Sequence, residues 1–288
     1  MKLGVFATFM SPNATPAMIA DFARSAEQAG LESLWMGEHV VLFDEMEFPY
    51  PSSKDGKVPV PPGGGLLDTV ATFGFIAAAT HRIRLGTGVT LVPQRNPVYT
   101  AKEFATLDWL SGGRIDFGIG VGWCKEEVLA CGYTFEDRGR RCDEFLQVMQ
   151  RLWRDELAAF EGEHYTLAAC RMDPKPVQPD GLPIIVGGHS RAGLRRAARH
   201  GSGWYGFNLD LQKTGALLAD LDVELTRQGR DRTGFEIVIT PPLKSDEQTL
   251  QGYAELGVDR LVLHLGSQRP ERVDQRLGEL QTLVTRLA

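Results

Sequence analysis

Chemistry-bearing residues in this chain gather at the ends of short apolar runs. The run Ser33–Gly37 stops at Glu38 and His39, a carboxylate and an imidazole side by side. An imidazole titrates near neutral pH, so His39 can take up or release a substrate proton. Glu38 is a second acid/base candidate and a candidate to position the ring. Consecutive residues of an extended chain face opposite sides, which ranks Glu38 below His39. The plainer reading of the pair is a solvated loop histidine beside an acidic neighbour.

A second stretch, PIIVGGHSRAGLRRAARH from Pro183 to His200, ends an apolar run at Gly187-Gly188 and begins a helix at once. Ser190 has the character of an N-cap, and free backbone N–H groups at a helix start favour an anion. Gly187, Gly188, His189 and Ser190 therefore form a candidate phosphate site, with Arg191 able to add a charged contact. Arg195, Arg196 and Arg199 read as a solvated helix face. Two other run ends are glycine-rich: LGTGV, closing at Gly88-Val89, and GIGVGW, closing at Gly122-Trp123 with Cys124 next. Either could let a flat ligand lie against backbone. Strand curvature explains the first equally well, and a lone G-x-G-x-G is weak evidence for the second.

These ends belong to eight β-rich runs that alternate with amphipathic segments: Leu3–Thr8, Ser33–Gly37, Ile83–Val89, Ile115–Ile119, Ile184–Val186, Trp204–Phe207, Phe235–Thr240 and Arg260–Leu265. Several are almost continuously apolar, as parallel strands covered on both faces are. Eight β/α units in 288 residues predict an α/β fold, a (β/α)8 TIM barrel forming a single domain over 1–288, in preference to a doubly wound sheet. The strand C-terminal ends of such a barrel carry its chemistry. The Pro- and Gly-rich segment Val40–Leu66 leaves the second strand on that face and reads as a lid or substrate wall. Asp155–Leu182 precedes the fifth strand from the opposite face and reads as mainly structural.

Composition narrows the partners. A formal net charge of −6, with no long basic cluster, argues against nucleic acid. No apolar run is long enough for a membrane span, and the apolar start LGVFATF leaves no room for a leader. The four cysteines, Cys124, Cys131, Cys142 and Cys170, have no metal-type or disulfide-type spacing, which fits a reducing cytoplasm and no bound metal.

Taken in order, GEH, LGTGVTLVPQRNP, LSGGRIDFGIGVGW, PKPVQPDGLPIIVGG and SGW resemble the bacterial luciferase-like family, and within it the deazaflavin-dependent oxidoreductases. The resemblance spans nearly the whole chain. It implies a luciferase-like (β/α)8 barrel, usually a homodimer, that binds coenzyme F-420 (8-hydroxy-5-deazaflavin) or FMN at the C-terminal face. It further implies a bulge with a non-prolyl cis peptide at Gly88-Val89 behind the cofactor ring. Gly122, Trp123 and Cys124 would run along the cofactor, with Gly187, Gly188 and Ser190 at its phosphate. Ser202 stands where the family pattern has aspartate, and Lys125 where several relatives carry an acidic or small residue.

The reading that follows is an oxidoreductase moving a hydride between F-420 and a small organic substrate. Its alternative is an FMN-dependent monooxygenase using dioxygen; one pocket shape serves both. A cofactor-free barrel aldolase would often want a strand-end lysine, and none of the eight runs contains one. A flavin-storage protein would bind cofactor without substrate-dependent chemistry.

Overall fold

In the computed structural model, which describes residues 1–50, 53, 55–266 and 270–287, eight parallel strands close on themselves. They are β1 (Lys2–Phe6), β2 (Ser33–Met36), β3 (Arg84–Thr87), β5 (Ile115–Gly120), β8 (Ile184–Gly187), β9 (Gly203–Phe207), β10 (Glu236–Thr240) and β11 (Arg260–His264). Each pairs with the next, and β11 pairs in parallel with β1. Helices α1 (Pro16–Gln28), α2 (Thr69–Ala79), α3 (Pro97–Ser111), α5 (Arg138–Arg154), α6 (Arg191–His200), α7 (Leu211–Arg227) and α8 (Glu247–Glu255) lie between successive strands, and α9 (Pro270–Leu287) follows the last. The expected barrel is present.

The apolar periodicity explains the layers. Along α1, Ile19, Phe22, Ala23 and Ala26 are buried, facing the sheet, and Thr15 caps Pro16 at the helix start by accepting from the Met18 amide. One large core fills the space between sheet and helices. A smaller one, Phe6, Trp35, Ile185, Tyr205, Val238 and Val262, fills the barrel interior, so the barrel is packed and any ligand must sit at its mouth.

Two features go beyond the strand pattern. The third run splits into β3 and a two-residue β4 (Thr90–Leu91), with Gly88-Val89 between them in a cis peptide. The segment read as mainly structural contains an antiparallel hairpin, β6 (Ala158–Glu161) with β7 (Thr166–Cys170). Pro51, Ser52 and Lys54 of the long loop lie outside the described residues. The rest of that loop is fastened to a short helix, α4 (Lys125–Ala130). Glu47 accepts from the Lys125 ammonium at 2.7 Å, its amide donates to Glu126 at 2.8 Å, and Phe48 stacks on Phe135.

Candidate active site

His39 leaves β2 at the barrel mouth, half-buried, with Nδ1 3.0 Å from Oε2 of Glu127. The other oxygen of Glu127 accepts the Val40 amide at 2.6 Å, and the Glu127 side chain is only 1% exposed. The imidazole also meets Trp123 edge-on at 5.8 Å, and Tyr50 of the long loop lies against the same indole. Nδ1 is thus occupied, and Nε2 is the nitrogen that can meet another molecule.

Glu38 does not serve as the partner of His39. Its carboxylate turns the other way, accepts the Leu91 amide at 2.6 Å and pairs with Arg95, which also binds Glu103 at 2.5 Å. Burial pushes the Glu38 carboxyl above the ordinary carboxylate range, against the opposing pull of Arg95 and the Leu91 amide. The residue ties the end of β2 to the chain beyond β4. Strand alternation anticipated this divergence; the true partner of His39, 88 positions away, it could not supply.

Val89 forms a shelf next to Gly88, whose carbonyl oxygen would lie 3.2 Å from a Cβ added at Gly37 on the way to His39. A Cβ added at Gly120 would lie 2.5 Å from one Val89 methyl, and one at Gly187 would lie 2.7 Å from the other. Glycine at both places lets the bulge close on β5 and β8. Gly122 and Trp123 continue from β5 along the same edge, and Cys124, buried, opens α4. Burial pushes the Cys124 thiol upward, with Glu126 and Glu127 adding to the effect.

The α6 start has the expected form. Ser190 caps the helix by accepting from the Gly193 amide at 3.2 Å. Gly188 holds φ at +126°, a Cβ there would meet only the Gly193 Cα at 3.9 Å, and its carbonyl receives the Trp204 indole N–H at 2.9 Å. The SGW motif therefore supports the glycine turn from below even with Ser202 in place of aspartate. The exposed His189 accepts the Phe207 amide through Nε2 at 3.2 Å. Desolvation of its ring and the Lys213 ammonium hold it below the usual histidine range, and hence neutral near pH 7. Arg191 is drawn toward the helix layer by Glu224, 3.2 Å away.

Two arginines depart from sequence expectation. Arg196 is not part of a solvated face: it is buried, paired with Asp143 at 2.5 Å and bonded to the Gly139 carbonyl. Arg138, unremarked in the sequence, has no ion-pair partner among the described residues. Its guanidinium donates to the Gly122 and Phe135 carbonyls and lies 3.7 Å over the Phe135 ring. Burial, with Arg141 and Arg196, lowers its affinity for its proton against the opposing pull of Glu136, without discharging it. Its only sequence signal was an arginine at the start of a strongly amphipathic helix.

Across the mouth, Phe6, Phe207 and His264 at the ends of β1, β9 and β11 form a triangle of rings, with centroids 5.3, 5.5 and 5.9 Å apart. Burial and Arg276 push His264 below the usual histidine range. Two concavities of about 670 and 450 Å³ lie elsewhere, one beside the β6–β7 hairpin and one by the N-terminal end of β8, and neither touches these groups.

The family description "Luciferase-like monooxygenase" matches residues 1–282. The chain belongs to this family. It is accordingly an oxidoreductase of the luciferase-like class. An uncharacterised protein of Mycobacterium tuberculosis is 31% identical over 95% of this luciferase-like chain and 94% of its own. An F-420-dependent glucose-6-phosphate dehydrogenase of Kineococcus radiotolerans is 32% identical over 87% of this chain and 70% of its own. Among solved structures, an F-420-dependent secondary alcohol dehydrogenase superposes with a TM-score of 0.79 at 17% identity, covering 98% of this chain and 97% of that one. Monooxygenase RslO1 from Streptomyces bottropensis gives 0.67 at 22%, covering 99% and 82%. At such identities the structural likeness is one of fold.

Proposed function

We propose that this chain is a coenzyme F-420-dependent dehydrogenase acting on a small, uncharged alcohol or its carbonyl counterpart. The observation that carries the reading is that His39, its Nδ1 taken by Glu127 and its Nε2 without a partner among the described residues, stands at the mouth of a barrel that also carries the Val89 shelf. The 32% identity to an F-420-dependent dehydrogenase favours F-420 over the FMN alternative.

The residues present fit such a cofactor. The Arg138 guanidinium, without a salt bridge among the described residues, and the α6 N-terminus beyond the glycine turn at Gly188 suit its phosphate. The Val89 shelf suits a flat ring. When bound, the coenzyme supplies a hydride acceptor or donor at C5 of the deazaflavin.

The protein's share is position and the proton. In alcohol oxidation the carbon-bound hydrogen leaves with its electron pair, the hydroxyl proton passes to Nε2 of His39, and the C–O bond becomes a carbonyl. Trp123 packs on the imidazole and Tyr50 on Trp123, which limits the contact of the ring with water. The apolar part of the substrate rests on Phe6, Phe207 and the neutral His264.

The assay is anaerobic mixing of protein, F-420 and a panel of short alcohols. Alcohol-dependent loss of the oxidised coenzyme's absorbance is expected. Oxygen consumption with reduced FMN, and no reaction with F-420, would establish the monooxygenase alternative instead.

The homodimer belongs to this reading too. Phe75 of α2 and Tyr99, Trp109 and Leu110 of α3 are 45–73% exposed, an apolar face suited to a second copy. Trp109→Glu is expected to halve the mass seen by sedimentation; an unchanged mass rejects this face.

A further inference from the structure

The proposed role of His39 leaves open what decides which ring nitrogen carries the proton before reaction. We infer that Glu127 decides it. This carboxylate is a positioning residue that fixes neutral His39 as the Nδ1–H tautomer, so that Nε2 presents a lone pair to the substrate hydroxyl. The inference rests on the proposed role of His39, but its decisive measurement does not depend on turnover.

The geometry leaves little freedom. Glu127 is buried, and its two oxygens have separate duties: Oε1 receives the Val40 amide at 2.6 Å and Oε2 faces Nδ1 at 3.0 Å. A carboxylate that accepts at both oxygens requires Nδ1 to donate. The proton is therefore on Nδ1 and the base is Nε2. When Nε2 takes up the substrate proton, the resulting imidazolium already has a buried anion against its far side. The other charges nearby are committed elsewhere. Glu38 is held by Arg95 and the Leu91 amide, and Glu126 by the Glu47 amide and the Cys124 thiol. Trp123, the ring packed on His39, is uncharged.

The same carboxylate holds the first residue of the long loop, so tautomer and loop position share one anchor. Helix α4, which carries it, is held in turn by Glu47 through Lys125 and Glu126.

Glu127→Gln makes the inference testable because glutamine has only one acceptor oxygen. The Val40 amide claims that oxygen, the Gln NH2 then faces Nδ1, and His39 must accept at Nδ1 and carry its proton on Nε2. The lone pair is lost where the substrate needs it. Alcohol oxidation should fall by at least about 10²-fold, with F-420 affinity and thermal midpoint little changed.

The decisive readout is ¹⁵N NMR of the histidine rings near pH ~8.5, above the usual histidine range, with His39 assigned from the signals missing in His39→Asn. Wild-type protein is expected to show Nδ1 protonated and Nε2 bare, and the glutamine variant the reverse. A wild-type Nε2–H tautomer overturns the inference even if the variant fails to fold. So does a folded variant with unchanged tautomer. If the tautomers behave as stated but His39→Ala keeps full turnover, the Glu127 inference stands and the catalytic reading of His39 falls.

Discussion

The two ends of this barrel treat charge in opposite ways. At the N-terminal end, charged side chains answer one another. Asp116 on β5 receives Arg84 of β3 and Arg260 of β11, each at 2.5 Å, and Arg260 also reaches Glu236 and Glu32. The Arg260 guanidinium lies 5.5 Å from the Trp35 ring that floors the barrel interior. At the C-terminal end some charges are paired too, Glu38 with Arg95 and Lys125 with Glu47, but Nε2 of His39 and the guanidinium of Arg138 meet no ionic partner among the described residues. The floor closes the barrel; the mouth leaves polar groups without an ionic partner, as the proposed ligand site would need. Changes at the floor should move stability and leave binding alone, and changes at the mouth should do the reverse.

The largest effect is expected at His39. His39→Ala should slow turnover by about 10²–10⁴-fold, the usual worth of a positioned acid or base, while F-420 still quenches on binding and the melting temperature holds. A variant that loses coenzyme affinity in proportion would make His39 a binding residue.

At the floor, Asp116→Asn leaves Arg260 and Arg84 facing a neutral group in a buried site, which should cost about 3–5 kcal/mol. Denaturant unfolding measures it, and coenzyme affinity of the folded protein should be unchanged. Acid gives the same comparison a direction. Burial works to raise the Asp116 value, but the Arg260 and Arg84 guanidiniums prevail and hold it below the ordinary aspartate range. Its contribution is then fully present above the unfolded aspartate value of about 3.9 and is lost as pH falls toward the lower folded value. Below about pH 4, wild-type stability should therefore drop more steeply with pH than that of Asp116→Asn.

A smaller loss is expected from Arg138→Gln. Removing one charged contact to a phosphate is worth about 1.5–3 kcal/mol, or roughly 10–100-fold in coenzyme affinity, with stability held. Unaltered affinity would remove Arg138 from the phosphate site. This residue is a cleaner probe than Gly188, where φ is +126° and any side chain strains the backbone whatever the ligand does.

What the sequence disclosed follows the same division. Strand runs, helix faces and the cap at Ser190 depend on neighbours within a few residues, and they were legible. The place of His39 at the barrel mouth was legible as well, because it comes just after the second strand run. Glu127 was not: Glu126 and Glu127 look alike in sequence, and only the fold of the long loop over α4 buries one and leaves the other half-exposed. Arg196 misled for a related reason, since its burial comes from α5 packing against α6. Arg138 was invisible because an arginine draws notice only once it is known to lack a salt bridge, as this one does among the described residues. The β6–β7 hairpin sits outside the barrel repeat, so the repeat could not announce it.

The groups at the mouth are proposed to hold F-420. The most direct check is to titrate purified protein with F-420 and with FMN under identical conditions, following quenching of each coenzyme's fluorescence. Saturable binding is expected with F-420 the tighter ligand, and with its affinity weakened in Arg138→Gln but not in Asp116→Asn. Tighter binding of FMN, or F-420 affinity indifferent to both substitutions, would contradict it.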